Sequence, residues 1–176
     1  MRLKMQKSIS RAALIFAAAC MAVGLTATSG AASTKTEQTF GAWTVTCVTD
    51  NANKRCSMSQ PRTAGPKKQV VFVWSVATNA SKQLMNNLMV PASISVKDGI
   101  RVSVGTKPPV TVPYDVCAQG RCMATFPMDA ATLQAMSTSP AANSNYVLAS
   151  RKLMQIQVDL KDFPKAYEYF KSQLTQ

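Results

Sequence analysis

The amino-acid sequence predicts an all-β chain, a two-layer sandwich of short strands closed by one or two accessory helices. Three observations predict it. Short runs of alternating apolar residues recur between residues 40 and 160, divided by clusters of Gly, Pro, Asn and Asp. The final stretch, from Phe163, changes to helical period and supplies a covering element. The four cysteines after residue 32 fall into two close pairs, Cys47 with Cys56 and Cys117 with Cys122, at spacings that suit stapled hairpins.

Residues 1–32 read as a cleavable secretory signal peptide. Arg2, Lys4, Lys7 and Arg11 form a positive start, Ala12 to Leu25 carries no charge, and Ser29, Gly30, Ala31 and Ala32 fit the small-x-small pattern of a cleavage site. The apolar stretch of 14 residues is shorter than the roughly 20 that a membrane-spanning helix needs. Lipidation at Cys20 is disfavoured, because Ala17 stands where a lipoprotein signal carries a branched residue. Residues 33–39 are polar and are expected to form a flexible tail, leaving 40–176 as a single domain. No later apolar run is long enough to span a membrane as a helix.

The strands follow in order. Trp43, Val45 and Cys47 share one face at period two, and a turn over Asp50–Lys54 leads to a partner strand holding Cys56 and Met58. Gln69 to Thr78 is apolar at both phases and β-branched, the pattern of a central strand buried on both sides. Leu84 to Val90 is a further strand. Ile94 and Val96, then Ile100, Val102 and Val104, flank Lys97-Asp98-Gly99 and predict a hairpin. Pro108, Pro109 and Pro113 confine Val110 to Val116 to an edge or interrupted strand. Arg121 to Phe126 returns from the second cysteine turn.

Asp129 caps a short helix to Ser137, and residues 138–145 are expected to be a loop. Tyr146 to Leu148 and Leu153 to Leu160 are strands. Phe163, Ala166, Tyr167, Phe170 and Leu174 then form one stripe of a C-terminal amphipathic helix that packs on the sheet, with Asp162 at its start. The Trp43–Cys47 alternation resembles an immunoglobulin-like β-sandwich core, although the cysteine spacing is too local for that fold's inter-sheet bridge; a β-barrel is the alternative.

An even number of cysteines in an exported chain reads as disulfides. Of the three possible connectivities, spacing favours Cys47–Cys56 and Cys117–Cys122. A zinc site is disfavoured, because the first pair is separated by eight residues, wider than a zinc knuckle. The chain has no histidine, which excludes Ser-His-Asp and Cys-His catalysis, an H-E-x-x-H metal site and a histidine general base. The seven methionines after residue 32 are scattered and read as core filler rather than a copper site. No cofactor or metal is expected.

The net charge is +12; four of the twenty cations precede residue 33 and all eight acids follow it, leaving about +8 on the exported part. Such an imbalance favours an anionic surface as partner, and export makes nucleic acid the least suitable anion. The plainer reading is a solvated, soluble surface, since the cations come as scattered pairs.

These segments in order resemble the invasion-associated locus B family of Gram-negative bacteria. The resemblance rests on Phe40-Gly-Ala-Trp43-Thr-Val-Thr-Cys47, on Cys56-Ser-Met-Ser-Gln60, on Pro113-Tyr114-Asp-Val-Cys117 and Cys122-Met-Ala124, and on Val158-Asp-Leu-Lys-Asp162-Phe163-Pro-Lys-Ala166. Two positions depart from the family pattern: Ala42 replaces a common aspartate, and Asp162 a common glycine. The resemblance implies a periplasmic, secreted or surface-associated β-sandwich without catalytic residues, linked in some members to host-cell invasion and virulence. It carries over no binding site; Phe40, Trp43, Gln60, Pro113, Tyr114, Ala124, Phe163 and Ala166 enter as structural motif residues. The expected function is therefore a non-enzymatic exported protein that meets an envelope or host partner. The alternatives are a histidine-free hydrolase with a Ser-Lys or carboxylate site, and an inhibitor of an envelope-attacking enzyme such as lysozyme.

Overall fold

The structure, a computed structural model, describes residues 33–174 apart from residue 52. The expected signal peptide lies outside the described residues. The first sheet is entirely antiparallel, with seven strands in the order β1-β2-β3-β4-β5-β9-β8. These are β1 (Thr34–Phe40), β2 (Trp43–Asp50), β3 (Asn53–Ala64), β4 (Gln69–Thr78), β5 (Leu84–Pro91), β8 (Val116–Ala118) and β9 (Arg121–Pro127). The second sheet has four strands in the order β11-β10-β6-β7: β6 (Ile100–Val104), β7 (Val110–Val112), β10 (Ala141–Val147) and β11 (Leu153–Asp159). Two α-helices complete the described chain, α1 (Ala130–Thr138) and α2 (Phe163–Leu174).

Alternation places one face of the large sheet in the core. Trp43, Val45 and Cys47 from β2, Cys56 and Met58 from β3, Phe72, Trp74 and Val76 from β4, and Leu88 and Val90 from β5 are buried. The small sheet and α2 cover this face: β11 approaches β3 and β7 approaches β9, while α2 packs on β1, β2 and β3. The stripe of α2 is buried at Phe163, Ala166, Tyr167 and Phe170. Phe163 meets Trp43 edge-on at 5.3 Å between ring centroids, and Phe40 rests on Tyr169 at 5.4 Å. Such pairs contribute about 0.5–1.5 kcal/mol beyond the area they bury. The result is a β-sandwich with a C-terminal packing helix. No helix among the described residues is long and apolar enough to cross a membrane.

Four expectations need correction. Residues 34–40 are not a tail but strand β1, in full register along β2 from Thr34↔Thr49 to Phe40↔Trp43. Its threonines are β-branched, and an edge strand needs no apolar alternation on its wet sides. The β1–β2 turn holds Gly41 at φ 57°, and a Cβ there would run into the Asp162 carboxylate. Residues 141–145 of the expected loop are instead the first part of β10, which runs into the strand expected from Tyr146 and pairs with both β11 and β6. The buried positions in that part are Ala142 and Ser144, one small and one polar, which leave no apolar alternation to read.

The hairpin expected around Lys97-Asp98-Gly99 is absent. Val96–Asp98 is one 3₁₀ turn, and Ile94 bridges Leu148 instead of returning along β6. Finally, β4 is buried on its inner face only; Val71, Val73, Ser75 and Ala77 on the other face are partly exposed.

Candidate functional site

The sulfurs of Cys47 and Cys56 are bonded, as are those of Cys117 and Cys122. Each pair sits directly opposite in its register, across β2–β3 and β8–β9. The motif residues divide into two groups. Trp43, Gln60, Phe163 and Ala166 are buried around the junction of β2, β3 and α2, with Phe40 beside them against Tyr169. Pro113, Tyr114, Ala124 and the second disulfide lie toward the other edge of the large sheet, with Pro113 exposed and Ala124 buried.

Gln60 continues the buried phase of Cys56 and Met58, yet it is polar and only 1% exposed. Its amide nitrogen donates to the Asp159 carbonyl at 2.7 Å, and its amide oxygen accepts from the Asp159 N–H at 2.9 Å. The Trp43 indole N–H donates to the same carbonyl at 2.8 Å. Two inner-face side chains of the large sheet thus hold the last residue of β11 by its main chain. This buried glutamine satisfies both of its polar ends, which is the condition for burial at low cost.

That clamp positions Asp159, which lines a depression of about 710 Å³. Arg62 from β3, Ser137 and Ser139 at the end of α1, and Gln157, Asp159 and Lys161 around the end of β11 are among its lining residues. Leu160 N–H bonds to the Pro140 carbonyl at 3.0 Å and so ties the two rims together, and within one rim Lys161 N–H bonds to the Asp159 carboxylate at 2.8 Å. Gln157 also lines a shallower depression of about 370 Å³ on the outer face of the small sheet, with Ser103, Asn143, Asn145 and Gln155. Four side-chain amides project there from adjacent strands in register, Asn143↔Gln157 and Asn145↔Gln155.

This chemistry suits hydrogen bonding and anion attraction. The lining offers hydroxyls, amides, one carboxylate, one guanidinium and one ammonium. Lys161 is exposed. Displaced ionisations occur elsewhere. Burial, with smaller contributions from Tyr146 and Asp98, pushes the Tyr114 hydroxyl up to about 12. That hydroxyl and the Ser144 hydroxyl are buried without a hydrogen-bond partner among the described residues. Bonds from Thr132 hold the exposed Asp129 carboxyl below its ordinary value. No group of three His, Cys, Asp or Glu suited to a metal comes together among the described residues.

Residues 43–171 match the model of a family described as invasion associated locus B (IalB) protein. The fold is similar to the crystal structure of invasion associated protein B from Bartonella henselae, with a TM-score of 0.69 and 22% sequence identity over 80% of this chain and 97% of that one. No curated protein matches the chain.

Proposed function

Because this chain belongs to the invasion-associated locus B family, we propose that it is a non-enzymatic exported binding domain, acting in the periplasm or at the outer surface in envelope or host-cell interaction. The observation that carries this reading is the pair of intramolecular disulfides. Such bonds persist where thiols oxidise, outside the cytoplasm. The leader-like first 32 residues support the same location. The depression supports binding, because its lining combines hydroxyls, a side-chain amide and charged groups that can hold a polar partner. Crosslinking in intact cells, with and without host contact, should recover the same envelope or host partner repeatedly. Failure to recover any partner across those conditions contradicts the proposal.

One observation favours a second reading. The depression places Ser137 and Ser139 in the same lining as Lys161, the residue types of a Ser-Lys hydrolase. A Ser-Lys base must be desolvated and in contact with its serine, whereas Lys161 is exposed. Esterase and peptidase assays on the wild type and on Ser137→Ala/Ser139→Ala decide it. Activity that the double substitution abolishes would establish the enzyme and displace the first reading.

A further inference from the structure

One end of the sandwich concentrates the positive charge. In the antiparallel large sheet, the β3–β4 turn, the end of β5 and the β8–β9 turn all fall at the same end. The segment after β5 crosses from there to the small sheet. Ala92 N–H bonds to Gly120 O at 2.9 Å, Ala149 N–H to Ser93 O at 3.1 Å, and Ser95 N–H to Val147 O at 2.8 Å. Ile94 bridges Leu148. The β10–β11 turn therefore joins the same end, and the Tyr146 hydroxyl, bonded to Val71 O at 2.8 Å, ties β10 to the start of β4.

These segments carry Lys67, Lys68, Lys97, Arg121, Arg151 and Lys152, all exposed. Across residues 65–68, 92–99, 119–121 and 149–153 the one acid is Asp98, which pairs with Arg151 at 3.5 Å. These segments thus hold six cations against one anion; the β1–β2 turn at the same end of the sheet adds Asp162, which Lys165 offsets at 3.1 Å. Two aliphatic side chains project among them: Val96 is 54% exposed beside Lys97, and Leu153 is 52% exposed beside Lys152. The Ser95–Val147 bond and the Val147↔Leu153 register hold both on this end.

We propose that this end is a docking surface for an anionic, phosphate-bearing lipid membrane. The proposal rests on the reading that the chain acts at the envelope. Cations near a negative lipid surface gain long-range attraction, and aliphatic tips between them enter the headgroup boundary. A soluble acidic polysaccharide satisfies the cations but offers no apolar phase to Val96 and Leu153. The opposite end is less one-sided, since Asp50 and Asp129 share it with Lys54, Arg55, Lys82 and Lys107.

The test is flotation of the disulfide-bonded protein with vesicles of phosphatidylcholine, alone or mixed with one third phosphatidylglycerol. Binding is expected to the mixed vesicles only and should weaken as salt is raised. Each neutralised lysine should lower partition about fivefold, the equivalent of ~1 kcal/mol per cation, so Lys97→Gln/Lys152→Gln should lose roughly twenty-five-fold. Lys82→Gln/Lys107→Gln removes the same charge from the far end and should retain most of the binding. Val96→Ser/Leu153→Ser should weaken what survives at high salt. Equal binding to both vesicle types, equal losses from the two lysine pairs, or binding to alginate with none to vesicles would each overturn the proposal. The assay needs no cells, so its failure leaves the export reading standing, and an unexported protein that still floats would fail that reading alone.

Discussion

The two disulfide hairpins share one local design and occupy different surroundings. In both, the half-cystines face each other across an antiparallel pair. Cys47 and Cys56 lie buried on the inner face of the strands that α2 covers, 3% and 7% exposed. The second bridge sits at the far edge of the same sheet, where Cys122 is buried and Cys117 is open to solvent. Ring closure acts on the unfolded chain and contributes to both hairpins alike. Packing acts on the folded one and separates them. A covalent staple is therefore worth what its neighbours add to it.

The largest expected effect comes from the packed side of this comparison. Trp43→Ala removes a fully buried ring, its contact with Phe163 and its bond to Asp159, and should cost about 3–5 kcal/mol in a denaturant titration. A loss typical of surface positions would break the comparison. Next come the staples themselves. Loop entropy for sequence separations of 9 and 5 gives about 2.6 and about 2 kcal/mol. Cys47→Ala/Cys56→Ala should exceed its share, because it also empties core volume, whereas Cys117→Ala/Cys122→Ala should stay near or below its own. Equal midpoint shifts would show that packing adds nothing to the first bridge.

Gln60→Leu sharpens the contrast further. It keeps an inner-face side chain but leaves the Asp159 N–H without its partner, for an expected loss of about 1–3 kcal/mol by thermal melting. The smallest effect lies outside both hairpins. Asp129 caps α1 by accepting from the Thr132 N–H at 2.6 Å, and its carboxyl is held below the ordinary value. A depressed folded-state pKa stabilises fully above the unfolded value, and the gain disappears as pH falls through the lowered one. Asp129→Asn keeps a capping side chain and should flatten the acid limb of the stability profile. An unchanged acid limb would remove Asp129 from that account.

The sequence made the strands with apolar alternation legible because burial on one face imposes it, as in Trp43-Val45-Cys47 and Met154-Ile156-Val158. It hid β1 and the first five residues of β10 for opposite reasons. One is wet on its exposed edge, and the other buries Ala142 and Ser144, which carry little hydrophobic signal. The failed hairpin at Lys97-Asp98-Gly99 shows a local turn signal losing to a distant pairing, Ile94 with Leu148. The large depression was not legible, since its walls come from segments separated by as many as 99 residues, Arg62 to Lys161. One trace of it was visible: Gln60 is a polar residue in the apolar phase of Cys56 and Met58, the mark of a side chain with buried work to do.

The account depends on a chain that leaves the cytoplasm and closes both rings there. Its most direct test is the intact mass of the protein recovered from periplasm and medium without reductant. The account predicts a chain that begins near Ser33 and is four hydrogens lighter than its reduced form. A protein that keeps its first 32 residues and carries free thiols at Cys47, Cys56, Cys117 and Cys122 would contradict it.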